Sequence, residues 1–271
     1  MGRFTKIVAG VFGMTLLLSG CAMDSLGDPV DASPEPGQEN TLGTITAGVL
    51  TVCSEIPFEP FEYEDPADPE KYTGFDIDIV GEIATRLGLE LVVVDSDFDA
   101  LQSGLSLATD KCDLGASAMT ITEDRRANID FTDAYYDSLQ SLLVAKDSGI
   151  TSLDDLAGKS IGVQKGTTGE IYAEQNQPEG AQIVGYPSDG ELWPALQAGQ
   201  IQAILQDQPV NVIHARTDAA YVVVAEYQTD ESYGMALAKD KNPELLAAVN
   251  GALAEMRADG TYKQIYDKYF A

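Results

Sequence analysis

The chain has 271 residues, with 44 Asp and Glu against 16 Lys and Arg and a single His, for a formal net charge of −28. That balance argues against nucleic acid, because phosphate binding draws on clustered Lys and Arg and no basic run occurs. A composition 44% hydrophobic, with 12 Tyr, 8 Phe and 25 Gly, argues against a wholly disordered chain and suits one or two folded domains.

The first predicted element is an export signal. Arg3 and Lys6 precede an apolar run at 7–18 that is too short for an ordinary membrane span. Leu18-Ser19-Gly20-Cys21 resembles the lipobox of bacterial lipoproteins, which implies a signal peptide at 1–20 and lipidation of Cys21; a plain secretory signal is the alternative. Residues 21–44 are rich in Pro and acids and carry little to pack, so a flexible acidic tether is expected, with a reach of roughly 25 Å. Cys53 and Cys112 remain, and a disulfide and two buried thiols both stay open because strand register decides their separation.

From residue 45 the two regular periods alternate. Residues 48–53 are a β-rich run. Residues 74–88 are helical, with Ile79, Val80, Ile83 and Leu87 on one face and Gly88 as the stop, and 89–95 return to strand. A helix is predicted over 98–109 and a strand over 112–119. A second series follows, with strands at 160–164, 181–186, 201–206 and 221–226 and helices from about 168, around 190–198 and over 208–216. An extended stretch at 232–239 precedes two terminal helices. Asn242 caps the first, Pro243 opens it, and Leu245, Val249, Leu253 and Met256 form its apolar stripe.

Repeated strand–helix–strand units predict α/β architecture with parallel sheets. The stretch 141–148 divides the two series, so two lobes are expected, 45–142 plus 232–271 and 143–229, joined by two crossing segments. Ligands of such folds bind beyond the strand C-termini. Three segments lie there. Thr120, Thr122 and Arg125 offer hydroxyls and a planar fork to a carboxylate, although Thr122 also reads as a helix cap. Thr167 and Thr168 open a helix whose N–H groups would receive an anion, although a plain turn is equally in keeping. Asp207 ends a strand and would accept from an ammonium group, or merely cap the next helix.

Anion receptors from both lobes and one acid complement a zwitterion. The chain here resembles the bacterial extracellular solute-binding proteins of family 3, which capture polar amino acids for ABC importers. The resemblance covers 45–271 and rests on GFDIDIVGEIATRL, SDFDAL, SAMTITEDR, IDFTDAYY, VQKGTTGE, the ILQD strand end and ESYGMAL, in the family's order. It implies a two-lobed periplasmic-binding-protein-like (type II) fold. Arg125 would clamp the ligand α-carboxylate with Thr120 and Thr168, and Asp207 would take the α-ammonium with the Ala118 carbonyl. Phe58 and Phe98 would sandwich the side chain. Glu55 and Asp76 stand where members read its polar end, with Gln164 and Gln206 lining the same region; for Asp76, capping the helix that starts there is the other reading. Ala118 lies where some members carry a hydroxyl, and Glu123 replaces a frequent proline.

Two acids at the side-chain end favour a basic or other polar L-amino acid over an acidic one. The family further implies a monomeric, extracytoplasmic protein, held to the membrane by lipid on Cys21, that closes by a hinge near 141–147 and 227–234 and docks on a permease. Neither cofactor, metal nor catalytic residue is expected. The rival readings are a cleft enzyme of the cyclohexadienyl (prephenate or arogenate) dehydratase type, with Glu55 as general acid, and a ligand-sensing module. His214 reads as a packing or surface residue, and the acids of 62–70 as a solvated, Pro-interrupted loop.

Overall fold

A computed structural model describes residues 41–271. The signal peptide, Cys21 and most of the tether lie outside the described residues. The last tether positions are already fastened, since Asn242 Nδ2 donates to the carbonyls of Leu42 and Gly43 at 2.9 and 3.1 Å. The folded body therefore starts before residue 45.

In chain order the first half comprises β1 (Val49–Ser54), β2 (Tyr63–Asp65), β3 (Asp68–Thr73), α1 (Phe75–Leu87), β4 (Glu90–Asp95), α2 (Phe98–Gln102), α3 (Leu105–Ala108), β5 (Leu114–Gly115), α4 (Glu123–Arg126) and β6 (Ile129–Phe131). The second comprises β7 (Tyr136–Ala145), a 3₁₀ turn (Leu153–Leu156), β8 (Ser160–Gln164), α5 (Thr168–Asn176), β9 (Gln182–Tyr186), α6 (Asp189–Gln197), β10 (Ala203–Asp207), α7 (Gln208–Thr217) and β11 (Tyr221–Tyr233). The chain then returns through β12 (Ala236–Ala238), α8 (Pro243–Asp259) and α9 (Thr261–Phe270).

Two five-stranded sheets define two lobes, in the orders β4-β1-β5-β12-β6 and β11-β7-β10-β8-β9. Each is mixed rather than wholly parallel. In the first, β12 runs antiparallel to β5 and β6; in the second, β7 runs antiparallel to β10 and β11. Both exceptions are the strands by which the chain enters a lobe from the other, so crossing reverses direction.

The lobe boundaries differ from the expected ones. β7 pairs with β11 from Ala145 opposite Tyr221 to Tyr136 opposite Tyr233, with two register shifts between, so the two strands run together from the second lobe to the first. Tyr135, Tyr233 and Met235 belong to the first-lobe core, with Tyr136 packed against it, so the chain crosses along the paired β7 and β11 between these residues and Leu142 rather than within 142–147. Leu142, Leu143 and Val144 are fully buried in the second-lobe cores and leave no room for a linker there.

Two further expectations change. The helix over 98–109 breaks into α2 and α3 because Gly104 sits at φ +81 with its position pressed against Ile129, and the strand over 112–119 keeps only two paired residues. The acids of 62–70 form the hairpin β2–β3 instead of a loop. Elsewhere the pattern matches: Ile79, Val80 and Ile83 of α1 pack with Leu245, Val249, Leu253 and Met256 of α8 under β1. On the opposite face Cys53 and Cys112 are joined in a disulfide, with Cα atoms 5.7 Å apart. By loop closure such a bridge contributes about 4 kcal/mol.

Candidate ligand-binding site

The parallel strands of both sheets point their C-terminal ends at one narrow cleft. From the first lobe come Glu55 after β1, Phe58, Phe98 at the start of α2, Ala118, Thr120 and Arg125. From the second come Gln164 at the end of β8, Thr167 and Thr168 at the start of α5, and Gln206 and Asp207 at the end of β10. Of the residues expected at the site, Asp76 and Thr122 are not in the wall.

Thr122 caps α4 by accepting the Arg125 backbone N–H at 3.2 Å, which sets Arg125 on the first turn facing inward. The guanidinium is buried. It donates to the Thr120 carbonyl at 2.7 Å and, across the cleft, to the Gly166 carbonyl at 2.9 Å, and lies 5.2 Å from the Phe98 ring centroid. Burial draws its pKa down to about 10, with Asp207 and Glu231 opposing, so it stays cationic at neutral pH.

The two threonine hydroxyls expected to assist Arg125 are engaged elsewhere. Thr120 Oγ1 and Thr168 Oγ1 both donate to Glu231 Oε2, at 3.1 and 3.0 Å. Each hydroxyl has one proton, so neither gives it to a second carboxylate while this bond holds. Thr167 donates to the Gln164 carbonyl at 2.7 Å and accepts the Glu170 N–H at 3.2 Å, so its side chain builds the turn and caps α5. Asp207 accepts from Gln140 Nε2 at 2.5 Å and from the Tyr233 hydroxyl. Burial raises its pKa, Glu231 adds to the rise, and Tyr233, Gln140 and Arg125 oppose it.

Asp76 serves the backbone instead of the cleft. Gly74 lets α1 begin hard against Phe61, where any side chain would strike the Phe61 carbonyl, and this buries Asp76 completely. Its Oδ2 accepts the Ala118 N–H at 2.8 Å and the Tyr135 hydroxyl at 2.6 Å. Ala118 sits at φ +42, a conformation costly for an L-residue, and the Asp76 bond helps hold it there. Burial raises the pKa of Asp76.

At the other end Glu55 is 5% exposed. Its Oε2 accepts from Gln164 across the cleft at 2.9 Å, and its Oε1 has no partner. Gln206 donates to Asp189 and Asn211 at 2.9 and 3.1 Å, and its Oε1 is likewise unpaired. Behind them His214 stacks on Trp193 at 4.4 Å and meets Asp189 at 2.9 Å, in keeping with a packing role.

Sequence reasoning missed Ser117, Glu62, Gln140, Glu231 and Tyr233. Ser117 accepts the Glu55 N–H at 3.0 Å and donates to the buried Glu62 at 2.6 Å. Gln140 stands at the start of a buried strand run, and Glu231 and Tyr233 lie in ESYGMAL; a polar side chain bordering apolar strand positions was the available signal. Among the described residues no cluster of three His, Cys, Asp or Glu could hold a metal.

Residues 50–271 match the profile of the family described as bacterial extracellular solute-binding proteins, family 3. The histidine-binding periplasmic protein of Escherichia coli (strain K12) is 36% identical over 231 residues, covering 82% of this chain and 87% of that protein. An ancestral arginine-binding protein bound to glutamine superposes with a TM-score of 0.77 at 35% identity. An ancestral arginine-binding protein bound to arginine does so with 0.75 at 36%, and each covers 83% of this chain and 99% of the other.

Proposed function

This chain belongs to the bacterial extracellular solute-binding proteins, family 3, and on that premise we propose that it captures a basic or other polar L-amino acid outside the cytoplasm and hands it to the permease of an ABC importer. The carrying observation is charge arithmetic in one cleft. Arg125 matches an α-carboxylate, Asp207 matches an α-ammonium, and Glu55 is left for the side chain. The unpaired Oε1 atoms of Glu55 and Gln206 call for N–H donors, which guanidinium, ammonium and amide groups supply. Relatives named for histidine and arginine, and a neighbour bound to glutamine, support this class.

The mechanism is closure about the crossing that β7 and β11 form between the lobes. Contacts from both lobes, Arg125 with Gly166 and Gln164 with Glu55, exist only when the cleft is shut, so a ligand that adds to them shifts the population toward the closed form. No covalent step is required. On the lipobox reading, Cys21 carries the lipid that keeps the protein at the membrane beside its permease. A buried Glu55 would also suit a general acid, and turnover of prephenate tests that reading; the named relatives are binding proteins.

Thermal unfolding of the purified protein, refolded to strip bound solute, against the proteinogenic amino acids, ornithine, citrulline and prephenate tests the proposal. A ligand at 100 times its Kd adds about 2.7 kcal/mol, or roughly 5–10 °C in Tm. A rise with one or a few basic or polar amino acids is expected. No rise with any amino acid overturns the reading.

A further inference from the structure

Glu55 is buried where the two lobes meet. It follows β1 in the first lobe, whereas Gln164 on β8, which donates to it, and Asp189 on α6 belong to the second. From its own lobe Asp95 at the end of β4 and Asp97 before α2 face it, and Glu62 interacts with it from behind Ser117. His214 on α7 reaches Asp189 at 2.9 Å. Among the described residues no ion pair includes Glu55. Closure thus leaves a carboxyl group among acids with one amide donor and one unpaired oxygen, a setting hostile to its charged form. Burial pushes the pKa from 4.5 up to about 8; Gln164 opposes the rise, and Asp189, Asp95 and Asp97 add to it. Parting the lobes removes Gln164 and Asp189 and admits water, which brings the value down toward that of an exposed carboxyl, while Asp95 and Asp97 remain.

We propose that Glu55 selects ligands by exchanging a proton for side-chain charge: the cleft closes over a cationic amino acid with Glu55 ionised and over a neutral one with Glu55 protonated. This rests on the solute-binding reading. With a neutral ligand the closed form holds a proton on Glu55 that the open form releases at lower pH. The Glu55 contribution to its affinity therefore falls as pH rises and levels off above about 8. With a cationic ligand the side-chain charge takes the place of the proton, and Glu55 adds no pH dependence.

L-Arginine and L-citrulline form the matched pair that tests this. They share α-carboxylate and α-ammonium, so whatever Arg125 and Asp207 contribute cancels in the ratio of their affinities. Titration calorimetry of the purified protein between about pH 5.5 and 7.5, in buffers of different ionisation heat, reads affinity and proton uptake together. Relative to arginine, citrulline is expected to weaken by about tenfold or more with rising pH and to take up close to one proton more near pH 6.5. Glu55→Gln flattens the citrulline profile and weakens arginine. Identical pH profiles for the two amino acids, or a citrulline slope that survives Glu55→Gln, overturn the proposal and leave solute binding standing. Failure of both amino acids to bind at any pH overturns the two readings together.

Discussion

The two ends of the cleft are built in opposite ways. Around Arg125 and Asp207 the charged groups are already partnered: the guanidinium on two carbonyls, Asp207 on an amide and a phenol, and Glu231 on the donors of Thr120, Thr168 and Gln140. Around Glu55 and Gln206, a carboxyl oxygen and an amide oxygen stand buried and unpaired, whereas at the first end only the neutral Gln140 Oε1 does. Groups held in place before binding suit the parts that every amino acid shares, because little ordering remains to be done on association. Unpaired buried acceptors penalise every side chain that brings no donor. General affinity and selectivity are thus assigned to opposite ends of one cavity.

The largest effect should come from breaking the shared end. Arg125→Met removes a buried cation from between Asp207 and Glu231 and leaves a ligand carboxylate without its counter-charge. A loss of about 3–5 kcal/mol in binding is expected, and equally for arginine, citrulline and glutamine, as calorimetry at neutral pH would show. A loss confined to one of the three would move Arg125 to the selective end and undo the division.

Asp76 gives the next largest effect and sharpens the boundary between the ends. If it fastens the backbone and does not read the side chain, Asp76→Ala strands the Ala118 N–H and the Tyr135 hydroxyl in a fully buried place. About 2–3 kcal/mol of stability should be lost in urea titrations, with the arginine-to-citrulline affinity ratio unchanged. Asp76→Asn retains an acceptor and should lose less. A change in the ratio with either variant would return Asp76 to the role that its position in the sequence suggested.

That reversal illustrates what a sequence carries and what it leaves out. Alternating periods place β1, α1, β4 and the series from β8 to α7 within a few residues of their observed limits. Glu55, Gln164, Gln206 and Asp207 come with them, since each ends a strand or directly follows one. Periodicity says nothing of pairing, so 141–148 was expected to divide the two series, whereas its pairing with β11 makes most of it part of a strand that starts at Tyr136 opposite Tyr233. A carboxylate in a helix's first turn looks the same whether it caps, reads a ligand or fastens a distant backbone. Asp76 is decided by Ala118 and Tyr135, both remote in sequence. Glu231 is harder still, because its three donors come from β7, α5 and the first lobe, and no local pattern announces them.

Glu231 also supplies the smallest of the expected effects. It stands on β11 where that strand crosses between the lobes, and its bond to Thr120 joins the crossing to the first lobe without any part of the ligand. Glu231→Ala removes that tie and leaves Gln140 Nε2 with Asp207 as its remaining strong acceptor, while the two hydroxyls become free to turn toward a ligand carboxylate. The lost tie weakens closure for every ligand and the freed hydroxyls recover part of it, so a uniform weakening of about tenfold or less is expected. Arginine and citrulline should weaken by the same factor at each pH, because neither the tie nor the hydroxyls touch the Glu55 end. Small-angle scattering of the ligand-free variant should show a more open average shape than the native protein. Unequal weakening of the two amino acids would mean that the ends communicate through Glu231, and the separation of affinity from selectivity would fail at that residue.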